Sequence, residues 1–129
     1  MGTPIGMFQH VRDVERYSPG QVIYHVGQPG EAMYVVLEGR VDLIRGDRLL
    51  SSVGPDEVFG EMALVDKGPR NATAVARTEC VVAPVTERHF LSLSQHHPHF
   101  ALDVLRVVAG RLRRERHSSA ADSLAFMLA

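Results

Sequence analysis

A chain of 129 residues, 45% hydrophobic and 22% charged with a net charge of -1, is expected to form one domain around its own core, without a polyelectrolyte bias toward nucleic acid. Its single cysteine, Cys80, excludes an internal disulfide and a cysteine-built zinc or iron–sulfur cage, and fits a reducing cytoplasm. Met1–Asp13 shows no basic stretch leading into an apolar run, and no segment reaches membrane-spanning length, so a cytoplasmic protein without membrane insertion is expected.

From Val14 to Glu87 the chain reads as strands and turns. Glycine, proline and aspartate recur at Pro19-Gly20, Pro29-Gly30, Gly39, Gly46-Asp47, Gly54-Pro55 and Gly68-Pro69. Between them lie short runs rich in Val, Ile, Leu and Tyr: Gln21–His25, Met33–Leu37, Val41–Arg45, Leu49–Val53, Thr73–Arg77 and Val81–Thr86. Such spacing predicts a mainly β fold of the sandwich, barrel or jelly-roll kind. Gly46-Asp47 is the expected hairpin tip joining Arg40–Arg45 to Arg48–Val53. Met33 and Cys80 read as strand-core residues.

The stretch Val58–Val75 carries the chemistry. Val58-Phe59 is a short apolar piece, and Gly60 lets the backbone approach a ligand closely. Good helix formers over Glu61–Val65 predict one helical turn, whose first amides make an anion site. Arg70 follows on a loop opened by Gly68-Pro69, where a guanidinium can return to grip the same anion bidentately. Glu61 would repel a phosphate unless it accepts a hydrogen bond from a neighbouring hydroxyl, as on a ribose. The acid and the arginine together specify a nucleotide-like ligand. The bland alternative is a structural Glu61–Arg70 ion pair on a sandwich rim.

After Thr86 the pattern changes. Glu87–Gln95 suits one or two helical turns, and His96-His97-Pro98 interrupts it, with Pro98 in the first turn of a new helix. Ala101, Val104 or Leu105, Val108 and Leu112 then recur at helical spacing, as a core face or a dimer seam. Arg106, Arg111, Arg113, Arg114 and Arg116 load the far end, where cations favour the helix pole. Ser119 and Asp122 resemble a capping box before the apolar tail Leu124, Phe126, Met127 and Leu128. The expected organisation is a single domain over 1–129: a β-roll over about 14–87, helices over about 87–117 and a tail over 118–129.

Other function classes find little support. His96, His97 and His99 have no cysteine or carboxylate at ligand spacing, so surface residues and no metal are expected. Only thirteen residues follow Arg116, too few for a helix-turn-helix, so no direct nucleic-acid contact is expected. A metal-dependent jelly-roll enzyme needs a histidine-rich strand motif, and the strands hold only His25. Ser51, Ser52, Ser92 and Ser94 lack a catalytic histidine context, so no enzyme is expected.

The segment Phe59-Gly60-Glu61-Met62-Ala63-Leu64, followed after five residues by Arg70-Asn71-Ala72-Thr73-Ala74-Val75, resembles the phosphate-binding cassette of cyclic-nucleotide-binding domains. These occur in catabolite activator proteins, protein kinase A regulatory subunits and nucleotide-gated channels. Gly27-Gln28-Pro29-Gly30 through Val36-Leu37-Glu38-Gly39 resembles the family's hairpin, and Tyr17–Ile23 its entry. The resemblance covers about Val14 to Leu112. It implies an eight-stranded jelly roll with a short phosphate-binding helix and C-terminal helices. It implies that Phe59, Gly60, Glu61, Met62, Ala63, Arg70, Asn71 and Ala72 form the ligand site. In that site Glu61 takes the ribose 2′-hydroxyl, Arg70 takes the cyclic phosphate, and the amides of Gly60, Met62 and Ala63 line it. Glu115 or Arg116 would reach the base from the last helix. Asn71 stands where the family usually carries Ser, Thr or Ala; it can still donate to phosphate or base, so binding is expected to survive while the resemblance does not fix the nucleotide. The expected function is that of a stand-alone sensor for a cyclic mononucleotide, cyclic AMP favoured over cyclic GMP. It would signal through the C-terminal helix to a protein partner or a second copy. The alternative is a ligand-free protein-interaction module of the same fold.

Overall fold

Successive side chains of the longest strands point to opposite faces, and both faces are buried, one inside a β-roll and the other beneath helices. The computed structural model describes residues 13–114, apart from the side chains at 111, 112 and 114. In chain order the elements are β1 (Glu15–Tyr17), β2 (Val22–Tyr24), β3 (Ala32–Glu38), β4 (Val41–Arg45), β5 (Arg48–Val53), β6 (Val58–Phe59), α1 (Met62–Val65), β7 (Thr73–Ala76), β8 (Cys80–Thr86), α2 (Glu87–His96) and α3 (Phe100–Arg114). The strands form two four-stranded antiparallel sheets, ordered β1-β8-β3-β6 and β2-β7-β4-β5. This is the expected mainly β architecture, with helices at the C-terminal end of the described residues.

In the β3–β8 ladder Val36 faces Val82, and both point into the roll with Leu43, Phe59 and Cys80. Met33 faces Val85 and Val35 faces Ala83, and these point outward to Phe100 and Val104 of α3. One strand pair thus serves two cores, as period-two geometry allows. Pro84 stands in β8 between two neighbouring strands, a position that normally needs an amide donor. The β1 ladder runs from Cys80 to Val82, so Pro84 lies two residues beyond it.

The β4–β5 hairpin turns at Gly46-Asp47 as expected, with Arg45 opposite Arg48. Thr86 caps α2 by accepting a hydrogen bond from the His89 amide at 3.2 Å. The next helix departs from its expected start, and of the alternatives Val104 and Leu105 on its expected face it buries Val104. It begins at Phe100, two residues past Pro98, and buries Phe100 and Val104, with Val107 and Val108 packed beside them. Leu105 is 63% exposed. Phe100 sets this rotation, because it fills the corner between α2 and β3 and meets Phe90 edge-on at 5.1 Å. The Leu112 side chain, Glu115, Arg116 and the tail over 118–129 lie outside the described residues. None of the described helices is long and apolar enough to cross a membrane.

Candidate functional site

The site is built where β6 ends. Gly60 adopts φ +71°, a left-handed conformation that L side chains rarely take. A Cβ there would also lie 2.7 Å from Nη1 of Arg70 and 3.2 Å from the Tyr24 hydroxyl. Glycine is required at this position twice over, for conformation and for space. The chain then enters α1, a single turn with Glu61 at its N-cap. The Ala63 amide donates to the Gly60 carbonyl at 3.2 Å and the Leu64 amide to the Glu61 carbonyl at 3.0 Å. After α1 the Asp66 carboxylate accepts from the Gly68 amide at 2.9 Å, a local turn that sends the chain back toward β2.

Arg70 is fastened by its backbone before its side chain is considered. Its amide donates to the Gln28 carbonyl and its carbonyl accepts from the Gly27 amide, both at 2.7 Å. Pro29 and Pro69 form an isolated antiparallel bridge beside them. The loop Gly27–Gly30 and the cassette are therefore one local structure, although some forty residues separate them in sequence.

The Arg70 side chain runs inward under Gly30. A Cβ at Gly30 would lie 2.6 Å from Arg70 Nε and 3.1 Å from the Ala63 Cβ. Gly30 has no positive φ, so its glycine supplies space rather than backbone freedom. The guanidinium donates through Nη1 to the Gly60 carbonyl at 3.1 Å and through Nη2 to the Ala32 carbonyl at 2.7 Å. Its Nε is buried without a hydrogen-bond partner. Its Cζ stands 4.0 Å from the centre of the Tyr24 ring and 5.8 Å from that of Tyr34.

Two ionisable side chains are buried here, Arg70 at 6% exposure and Glu61 at 9%. Charged groups are rarely buried unless they are paired or used. Arg70 lies in the wall of a cavity of about 210 Å³ together with Met62, Ala63 and Asn71. Asn71 is oriented from outside, its Oδ1 accepting from Arg45 Nη2 at 3.4 Å. Burial holds the Tyr34 phenol above its ordinary range, with Glu15 adding to the effect and Arg70 opposing it.

Of the residues expected in the site, Gly60, Glu61, Met62, Ala63, Arg70 and Asn71 are gathered around α1 and the loop that follows it. Phe59 and Ala72 are fully buried in the roll core. Phe59 stacks on Tyr34 at 5.1 Å and supports the cassette from beneath. His96, His97 and His99 are exposed, and the described residues contain no group of three or more His, Cys, Asp or Glu placed to hold a metal ion. Sequence reasoning missed Tyr24, Gly30 and Ala32. The glycine turn of the second motif was the available signal for Gly30, but neither Tyr24 nor Ala32 carries a mark that separates it from an ordinary strand residue.

Residues 14–97 match the family described as the cyclic nucleotide-binding domain. The chain is 36% identical over 102 residues to the cyclic AMP receptor protein of Thermus thermophilus, covering 75% of this chain and 47% of that protein. It is 45% identical over 65 residues to the cAMP-dependent protein kinase regulatory subunit of Eremothecium gossypii, covering 50% of this chain and 14% of that one. The crystal structure of the Thermus thermophilus catabolite activator protein superposes with a TM-score of 0.73 at 31% identity, over 88% of this chain and 55% of that chain. The chain thus spans about half the length of the Thermus thermophilus receptor, 47%, and a smaller share of the kinase subunit. Matched over most of its length, with the cassette's glycine, acid and arginine around one buried cation, the chain belongs to the cyclic nucleotide-binding domain family.

Proposed function

We propose that the chain is a regulatory module that binds a cyclic mononucleotide, cyclic AMP in preference to cyclic GMP. The observation that carries this reading is the buried Arg70, held by two main-chain carbonyls, with an unmet Nε donor, in a cavity wall shared with Met62, Ala63 and Asn71. A desolvated cation with spare donors favours an anion that brings charge and acceptor oxygens together. A cyclic phosphate does both. In this reading Arg70 takes the phosphate, and the amides of Gly60, Met62 and Ala63 line it. Glu61 accepts from the ribose 2′-hydroxyl, and Asn71 faces the base or the phosphate. Phe59 and Ala72 hold the cassette from the core. The preference for cyclic AMP draws on relatives named as a cyclic AMP receptor and a cAMP-dependent kinase subunit.

The module works in one domain, in the cytoplasm, without chemistry of its own and without contacting nucleic acid directly. Occupancy passes to α3 through α1. Ala63 lies on the cavity side of that turn, and its neighbour Leu64 packs in the cluster of Phe100 and Val104. A ligand shifts such an equilibrium only through different contacts in the two states. The output then acts on a partner chain or a second copy, with Glu115 or Arg116 reaching the base.

Calorimetric titration with cyclic AMP and cyclic GMP tests the reading. Saturable binding is expected for both, tighter for cyclic AMP, and resonances of α3 are expected to move at saturation. No heat and no thermal shift with either nucleotide would replace this reading with a ligand-free interaction module.

A further inference from the structure

We propose that Tyr24 is a positioning residue for the phosphate-binding arm, its ring being the seat on which the Arg70 guanidinium rests; this rests on the nucleotide-binding reading above. The ring is 5% exposed, and Arg70 Cζ stands 4.0 Å from its centre. Tyr24 is itself held by Tyr34 and Phe59, with ring centres 6.1 and 6.0 Å away.

The geometry divides the guanidinium into a face and an edge. A guanidinium has five N–H donors, all in its plane, and a weakly hydrated face that stacks on aromatic rings. Here Cζ lies over the Tyr24 ring, while the Gly60 and Ala32 carbonyls take donors on Nη1 and Nη2. Nε remains without a hydrogen-bond partner. A ring quadrupole attracts the cation without neutralising it and without using a donor. A carboxylate in the same position would form an ion pair and compete with the ligand's phosphate. The aromatic seat therefore offsets part of the burial of the charge and leaves its net positive charge for an anion. It also fixes the plane of the guanidinium, so that the arm is oriented before the ligand arrives, which lowers the ordering that binding requires.

Two readouts on Y24F, Y24L and Y24M test the seat. The first is the NMR resonance of the Arg70 Nε–H group, which a ring at this distance shifts upfield. The shift is expected in wild type and in Y24F, and lost in Y24L and Y24M. The second is calorimetric affinity for cyclic AMP. Y24F is expected to bind within about twofold of wild type, and Y24L and Y24M roughly 5- to 30-fold more weakly, the span of a cation–π contact on partial to full desolvation. Thermal melts establish that each variant is folded; Y24M keeps much of the buried volume should Y24L unfold. Wild-type affinity in both aliphatic variants, or an Nε–H resonance unmoved by them, overturns the seat. Failure of wild type to bind any cyclic nucleotide overturns the ligand reading instead, and the Nε–H shift still decides the seat.

Discussion

The two apolar regions on either side of the β3–β8 ladder are built from the same residue types and do different work. The outer one, beneath α3, joins Met33, Val35, Val58, Ala83 and Val85 to Phe100 and Val104, and its buried members are all apolar. The inner one runs through Val36, Leu43, Phe59 and Val82 and ends at the cassette, where Glu61 and Arg70 are buried. Replacing buried charges by apolar groups is often neutral or stabilising. A region that keeps them is therefore arranged for something other than stability. The contrast separates a stability seam from a binding seam, with one strand pair serving both.

If that separation is right, mutations on the two sides should fail in different measurements. The largest effect belongs to the outer seam. Phe100→Ala empties the corner between α2 and β3 and should lower unfolding free energy by about 3–5 kcal/mol in urea titration. The fraction that remains folded should lose less affinity than stability, because only the coupling between α1 and α3, about 1–3 kcal/mol, bears on binding. A loss of affinity as large as the loss of stability would merge the two seams into one.

Arg70→Ala is the reciprocal experiment. It should weaken cyclic nucleotide binding by about 2–5 kcal/mol, because the phosphate loses its desolvated partner. Its effect on the melting midpoint should be smaller than that of Phe100→Ala, because the lost hydrogen bonds to the Gly60 and Ala32 carbonyls are partly offset by removal of a buried cation. Unaltered calorimetric affinity in this variant would reject the assigned role of Arg70.

Gly30→Ala probes how tightly the arm is held. The new Cβ would lie 2.6 Å from Arg70 Nε and 2.7 Å from Cζ, so the side chain must shift. Overpacking of this kind costs about 1–3 kcal/mol, and here it should appear mainly in binding. The substitution should be nearly silent in an Arg70→Ala background, because the two contacts below 3 Å are both to Arg70. A double-mutant cycle without coupling would mean that Gly30 acts on something other than the arm.

The smallest effect is expected at Leu105, on the same helix as Phe100 but 63% exposed. Leu105→Asn should change stability by no more than about 0.5 kcal/mol in the same urea titration. A larger destabilisation would show that Leu105 is covered in solution and that the outer seam extends around the helix.

Much of this protein was legible in the sequence. Turn residues at Gly46-Asp47 and Gly68-Pro69 and β-branched runs between them mark most strands to within a residue or two. Local chemistry also names Glu61 and Arg70 and orders them around a glycine-led turn, because an anion site needs a donor-rich turn and a cation nearby. Short-range signals of this kind depend on neighbours along the chain, and the sequence contains those in full.

Tertiary structure decided the rest. On hydrophobic periodicity alone Ala101, Val104, Leu105 and Val108 are equivalent candidates for the buried face of α3; Phe100, docked against Phe90, selects the face with Val104. The two sequence motifs are likewise separate strings until the Gly27 amide and the Gln28 carbonyl pair with Arg70, Gly30 clears space for its stem and Ala32 takes its Nη2. Tyr24 becomes more than a strand residue only when its ring lies under that guanidinium. These contacts of Arg70 join residues 38 or more positions apart, where pairing between strands rather than local propensity sets the distance. The sequence by itself therefore determined which residues could meet a nucleotide phosphate, and the fold decided how the arginine is held to meet it.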